Sequence, residues 1–407
     1  MHEQLSFQRG QSRLKVSWAG DPHLELVRAI VLRHGWNATS YQIVNPGIAH
    51  WLSERDDAVV GFVDAGGVRV VAGAPVCARD RLSSVVAEFE AASAAAGKRV
   101  CYFGAEERLD NLVRRSSEYS RVLLGAQPAW DPAGWRSILS RRASLRAQLN
   151  RARNKGVRVS ALDASRASND PMLRRLLDEW LDTRGLPPLH FLVEPNTLER
   201  LKDRRVLVAR RHGEPIAFLV ASPVARRDGW LVEQIVRGHG AVNGVNELLV
   251  DAAMRLFVEE GARYATLGLS PLSPHAPALE EDANPLWLRL LLGWVRAHGR
   301  RFYNFEGLDR FKAKFSPDRW EPVYAISAEP RFSLRSLRAI AQAFSGSSPE
   351  LVILRSLARA ARMETRRAWR VARRNSGKPS VPLLDRAASR DLALSGSEGY
   401  RRGSRTE

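Results

Sequence analysis

The chain of 407 residues exceeds one typical domain, and its formal net charge of +19 makes it strongly basic. Charge of that size points to an anionic partner, nucleic acid or an acidic membrane surface, without separating the two. Two cysteines, Cys77 and Cys101, exclude a disulfide scaffold and suit a reducing cytosol, while the charged residues His23, Glu25 and Arg28 exclude a signal peptide and no segment reaches the roughly 18–20 apolar residues of a bilayer span.

In chain order, the first predicted unit is strand–turn–strand, Ala58 to Val76, with apolar residues alternating about Ala65-Gly66-Gly67. A helix from about Leu82 to Ala96 and a strand from Val100 to Phe103 follow. Trp135 to Lys155 is basic with helical spacing and reads as a connecting helix. A second strand–turn–strand unit runs from Arg205 to Val224 about His212-Gly213-Glu214. Both units close in small-small-Pro-Val, and the matching residues Gly73 and Ala221 lie 148 positions apart, about one domain. Two copies of one fold are therefore expected.

The second copy continues with a strand at Trp230–Val236, a polar loop at Gly238–Gly244 and a helix at Val245–Glu260. Gly261 stops that helix. A strand at Tyr264–Leu269, an amphipathic helix at Asn284–His298 and a last strand at Arg301–Phe305 complete it. This order resembles the acyltransferase fold named after the Gcn5-related N-acetyltransferases. The expected fold class is α+β, a tandem duplication of that fold with mixed sheets and a basic helical tail. The first copy with its connecting helix (1–158) lacks the polar loop and reads as structural. The second (159–330) is expected to hold the site.

The tail, 331–407, holds 17 Lys/Arg against 6 Asp/Glu. Leu334, Leu337, Ile340 and Phe344 form one short apolar stripe. A second helix, Pro349 to Arg374, carries Arg355, Arg359, Arg362, Arg366, Arg370 and Arg373 along one side, the pattern of an interfacial helix on anionic headgroups. The same arginines suit an RNA backbone, or the tail is a helical cap followed by a loose end. From Asn375 onward the composition is that of a disordered segment.

Phosphate-cradling, nucleophile-elbow and zinc signatures are missing, and the nine histidines form no i, i+4 pair, so neither a metal nor a cofactor is expected. Arg237-Gly238-His239-Gly240 lies between a strand and a helix, where backbone N–H groups can face a phosphate. Val242 fills the position that acetyl-CoA-binding loops keep small. Ordinary turn and phosphate loop both remain open here.

Three stretches carry a more specific resemblance: VEQIVRGHGAVNGVNELLVDAAM (Val232–Met254), TLGLSPLS (Thr266–Ser273) and YNFEGLDRFKAKFSPDRWEPVY (Tyr303–Tyr324). With SLRAQLNRARNKG (Ser144–Gly156), they resemble the C-terminal catalytic domain of the lysyl- and alanyl-phosphatidylglycerol synthases, from about Tyr41 to Tyr324. The resemblance implies transfer of an amino acid from aminoacyl-tRNA to a membrane lipid, by an enzyme without the membrane-spanning half of its relatives, at the cytoplasmic face of the membrane. One departure bears on specificity. The family's Asp three residues before the Arg is Gln234 here; Glu233 is adjacent, but neighbours on a strand face opposite ways.

The resemblance implies a site on these motifs. Arg237, Lys312 and Lys314 suit phosphate contacts to the RNA end or the lipid headgroup. Glu233, Glu247, Glu306 or Asp309 could hold the donor's ammonium group or act as base. Gln234, Asn243, Gly244, Ser270, Ser273, Tyr303, Asn304 and Arg310 complete the substrate-binding set. The ester of aminoacyl-tRNA is already activated, so the reaction needs positioning, proton removal and oxyanion support. A CoA-dependent N-acyltransferase and a non-catalytic tRNA- or membrane-binding protein are the alternatives.

Overall fold

The computed structural model describes residues 21–183, 191–192, 194–276 and 305–345. Among them, twelve strands form one mixed sheet. The first seven are β1 Ala49–Leu52, β2 Val59–Ala65, β3 Val68–Ala72, β4 Arg99–Ala105, β5 Ser120–Trp130, β6 Val157–Leu162 and β7 Arg205–Arg211. The rest are β8 Glu214–Val224, β9 Gly229–Arg237, β10 Tyr264–Thr266, β11 Ser270–Pro271 and β12 Arg319–Ser327. Their order is β1-β2-β3-β4-β12-β5-β10-β9-β8-β7-β6, with β11 paired to β5 beyond β10.

The duplication is written in this topology. In the first half β1, β2 and β3 run antiparallel, helix α2 (Leu82–Ala95) crosses over, and β4 returns parallel to β3. In the second half β7, β8 and β9 run antiparallel, a helix (Val245–Glu259) crosses over, and β10 returns parallel to β9. This shifts the expected correspondence by one strand. The crossover helix follows β3 in one copy and β9 in the other, so the partner of the β2–β3 hairpin is β8–β9, not β7–β8. The repeated small-small-Pro-Val endings are not equivalent. The halves also exchange strands: β12 of the second lies beside β4, β5 of the first lies beside β10, and the two pair with each other.

Alternation along each strand buries both faces, as period-2 side-chain placement requires. In the second half Leu207, Ala209, Leu219 and Val232 pack under the Val245–Glu259 helix, while Val206, Val208, Phe218 and Val236 pack under α7 (Pro171–Asp182). In the first half Val60, Val71 and Tyr102 meet α2, while Val59, Val70 and Cys101 face the cluster of α1 (Pro22–His34). Helix starts follow their caps: Asp21 and Asp170 accept backbone N–H groups just before Pro22 and Pro171. Both cysteines are free and buried.

Several expected elements change. The connecting helix is two helices, α4 (Trp135–Arg141) and α5 (Ala143–Asn154), broken at Arg142, whose ψ is 82°. The strand expected at Tyr264–Leu269 stops at Thr266, and Phe305, expected to end a strand, opens α9 (Phe305–Ala313). The Val245–Glu259 helix is α8 in chain order, and α3 is Glu107–Val113. The first tail stripe is α10 (Leu334–Ser345), with Ile340 buried and the Phe344 ring edge-on to Phe103 at 5.0 Å. The expected helix at 284–298, strand residues 301–304 and the tail from 346 onward lie outside the described residues. Among the described residues no helix is long and apolar enough to cross a membrane.

Candidate functional site

Strands β9 and β10 are parallel only from Gly229 to Leu231, opposite Tyr264 to Thr266. Beyond that point β9 continues along β8, while the other chain turns away through Gly268 and resumes as β11 on β5. A notch therefore opens at the carboxyl ends of two parallel strands, the place where open α/β sheets take ligands. Gly268 has φ +71°, which a side chain would strain. Helix α8 starts at the notch, and α9 lies across the Gly268–Ser273 turn.

Of the expected site residues, the structure brings Lys312, Asp309, Ser270 and Ser273 together at this notch, with Lys314, Glu247 and Gly244 where α8 begins. Lys312, on α9, is buried and its Nζ donates to the carbonyls of Gly268 and Leu269, each at 2.8 Å. Burial presses its pKa down to about 7, against the pull of Asp309 one turn earlier. Asp309 is buried too; it accepts a 2.6 Å hydrogen bond from Ser273 Oγ and lies 3.5 Å from His275 Nε2. The His275 ring stacks on Trp320 at 4.4 Å. The hydroxyl of Ser270 is fully buried and has no partner among the described residues.

Lys314 pairs with Glu247 in the first turn of α8 and lies 4.6 Å from the Phe311 ring. It also reaches Gln148 Oε1 of α5 at 3.5 Å. Gly244, at φ +93°, lets α8 begin against that helix, since a Cβ there would strike the Gln148 carbonyl oxygen. Arg237 is exposed at the end of β9 and donates to the Ala241 carbonyl at 3.1 Å; Asn243 beside it is exposed. Arg310 points outward and pairs with Glu306 one turn away.

Two residues sit elsewhere. Glu233 pairs at 2.8 Å with Arg204, whose side chain is 2% exposed and also donates to Asn45 Oδ1 and the Arg200 carbonyl. Gln234, on the opposite face of the strand, accepts from Thr197 Oγ1 at 2.6 Å. Tyr303 and Asn304 lie outside the described residues.

Sequence reasoning missed a buried charge network where the halves meet. Arg227 donates to Glu321 and Glu106 and lies 3.6 Å from the Tyr264 ring. Glu106 also accepts from the Ala38 N–H at 2.6 Å. Burial raises the Glu106 pKa to about 7, with Glu321 adding to the rise and Arg227 opposing it. No motif or spacing in the sequence singles out Arg227, Glu106 or Glu321, which lie far apart along the chain.

With this geometry in place, known proteins supply the comparison. A family model described as phosphatidylglycerol lysyltransferase, C-terminal, matches residues 28–327. The chain belongs to this family. Over 334 residues it is 23% identical to a phosphatidylglycerol lysyltransferase of Staphylococcus epidermidis, a match covering 76% of this chain and 37% of that protein. The chain therefore spans about a third of the length of such curated relatives. Among solved structures it is similar to the C-terminal domain of a protein assigned as a lysylphosphatidylglycerol synthetase from Agrobacterium fabrum, with a TM-score of 0.66 at 23% identity over 79% of this chain and 97% of the other. It is also similar to L-PGS from Bacillus licheniformis, with a TM-score of 0.64 at 23% identity over 84% and 97% of the two chains. At that identity the structures speak for the fold. The family match runs from Arg28 in α1 to Ser327 at the end of β12, so the basic tail lies beyond it.

Proposed function

We propose that this member of the family transfers an aminoacyl group from aminoacyl-tRNA to a hydroxyl of a membrane lipid such as phosphatidylglycerol. The observation that carries the reading is the buried Lys312 at the notch of β9 and β10, on a helix matching the family's Phe-Lys-x-Lys-Phe motif. A lysine with a pKa near 7 is substantially neutral at cytoplasmic pH. The neutral amine keeps two N–H donors on the Gly268 and Leu269 carbonyls and one lone pair free.

In the proposed step the lipid hydroxyl oxygen attacks the ester carbonyl carbon and its proton passes to Lys312. The carbon–oxygen bond to the tRNA ribose then breaks, and the ribose oxygen takes the proton back. Lys314 and Arg237 are assigned to phosphate contacts, and the acids of the notch to the donor's ammonium group. The second half is thereby assigned the chemistry, and the protein a place at the membrane surface.

The test is to incubate purified protein with lysyl- or alanyl-tRNA and phosphatidylglycerol vesicles and to resolve the lipids by mass spectrometry. Formation of an aminoacyl lipid without CoA, lost in Lys312→Met, is the expected result. Acylation that requires acetyl-CoA, or RNA binding without turnover of any charged tRNA, would replace this reading.

A further inference from the structure

Four arginines from four separate segments converge on a cleft in the first half. Arg33 ends α1, Arg79 lies just before α2, Arg108 lies in the first turn of α3, and Arg226 sits in the turn between β8 and β9. The cleft has a volume of about 690 Å³ and a single acid, Asp80, in its lining. Among the described residues none of the four guanidinium groups has a carboxylate partner within ion-pair distance. That sets them apart from Arg28, Arg81, Arg121, Arg204 and Arg227, each of which has one. A small adjoining pocket shares His34, Cys77, Arg79 and Arg108 with the cleft and adds the apolar side chains of Trp36, Ala74 and Leu82.

Like charges gathered this way raise the free energy of the empty site and favour an anion in it. Their mutual effect is visible at Arg108, whose pKa is pressed down to about 10 by burial and by Arg79 and Arg226, and at His34, lowered by burial and by Arg33 and Arg226. The position is not arbitrary. The β3–α2 crossover is the topological counterpart of the β9–α8 crossover, the loop that precedes a helix N-terminus in each copy. The expectation that the first half is purely structural rested on its lacking a polar loop; its crossover loop supplies Arg79, and the other three arginines arrive from elsewhere in the chain.

We infer that this cleft is a second anion site that holds one phosphate group of a small glycerophosphate-type ligand, gripped by Arg79 and Arg108 and flanked by Arg33 and Arg226. Guanidinium forks match phosphate oxygens two at a time. The shape argues against an RNA strand. The arginines crowd one cleft rather than following a backbone, and the Trp36 ring that a base would stack on is occupied by Arg108 at 3.7 Å and Arg227 at 5.0 Å. The inference stands on charge and shape, whichever reaction the notch performs.

The test uses binding, not turnover. Glycerol 3-phosphate is titrated into the full chain by calorimetry, and flotation is measured with phosphatidylglycerol and with phosphatidylcholine vesicles. Saturable binding of glycerol 3-phosphate, weakened at least tenfold in Arg79→Gln/Arg108→Gln and unchanged in Arg158→Gln on the far edge strand β6, is the expected result. If the double variant also loses phosphatidylglycerol-selective flotation, the phosphate belongs to a lipid headgroup; if flotation is unchanged, to a soluble ester. Arg79→Gln alone, at an exposed position, keeps the test open should the double variant misfold. Equal binding of glycerol 3-phosphate by wild type and variants overturns the site. A tenfold loss confined to tRNA binding overturns the choice of ligand.

Discussion

Replacing Lys312 by Met separates a buried, displaced lysine from an ordinary one through the pH dependence of stability. In the unfolded chain the amine titrates near 10.5, and in the fold near 7. Between those values the unfolded state binds more protons, so stability rises with pH across that window. Below about pH 7 both states carry the proton and the handicap is complete; above about 10.5 both are neutral and it vanishes. The displacement corresponds to a full amplitude on the order of 5 kcal/mol.

Lys312→Met loses two hydrogen bonds to the Gly268 and Leu269 carbonyls, and that cost does not depend on pH. Urea denaturation of both proteins from pH 6 to 10 gives the difference directly, since tyrosines and cysteines titrating at the alkaline end are common to both. The wild type should gain several kcal/mol on the variant between pH 7 and 10. A difference that stays flat across the range would show an ordinary ammonium, and the proton-accepting role would fall with it.

The Arg204–Glu233 pair should behave as a buried ion pair: Arg204→Met alone costs about 3–5 kcal/mol, and Arg204→Met/Glu233→Met recovers most of it. Independent, additive losses by calorimetry would return Glu233 to the pool of free carboxylates. Gly244→Ala should lose about 1–3 kcal/mol from its φ of +93° and its contact with α5, whereas Gly240→Ala, in open space, should change stability by less than about 0.5 kcal/mol. Glu106, whose acid form the fold favours, makes the wild type lose stability as pH rises from about 4.5 to about 7. Glu106→Gln should therefore gain on wild type through that window in denaturation curves, and a parallel pair of pH profiles would contradict the burial argument.

What the sequence made legible follows local physics. The hairpins, α2, α8 and the crossover strands carry clean alternation or helical spacing; α2, α8 and β4 stand within two residues of expectation, while β3 ends four residues and β10 three residues early. The two central strands did not show themselves. Strand β5 contains Gly125 and Pro128, and β12 contains Pro322, residues that normally demote a strand to an edge or a bulge. Gly125 and Pro322 lie beside the β5–β12 register shift between Val323 and Tyr324, Gly125 yields to the backbone of Ser270 and Leu272, and Pro128 falls in the gap where the other neighbour of β5 passes from β10 at Ala129 to β11 at Ala126. Short-range pattern cannot signal a strand whose partner lies nearly 200 residues away. The motifs of the candidate site were legible but its pairings were not, because Glu233, Arg204, Glu106 and Arg227 are joined only by the folded sheet.

The strand exchange also explains why the site residues depend on both halves. The segment between α9 and β12 is tied to the end of β5. Trp130 Nε1 donates to the Phe315 carbonyl at 3.1 Å, the Asp131 N–H to Asp318 at 2.7 Å, and the Asp318 N–H back to the Ala129 carbonyl at 3.0 Å. Lys312 and Lys314 sit immediately before that tie, and the turn they brace, Gly268 to Ser273, is held on β5 through Ser270 and Pro271. A first-half strand therefore sets the distance between the notch and the helix that lines it. Arg227 makes the same connection on the other side, its guanidinium binding Glu106 of the first half and Glu321 of the second. An anion bound among Arg108 and Arg226 would act two residues from that charge network along Glu106–Glu107–Arg108 and one residue from it along Arg226–Arg227. The cleft thus has a short covalent and ionic route to that network, in which the Glu106 carboxyl, raised by burial to about 7, is the group poised to respond.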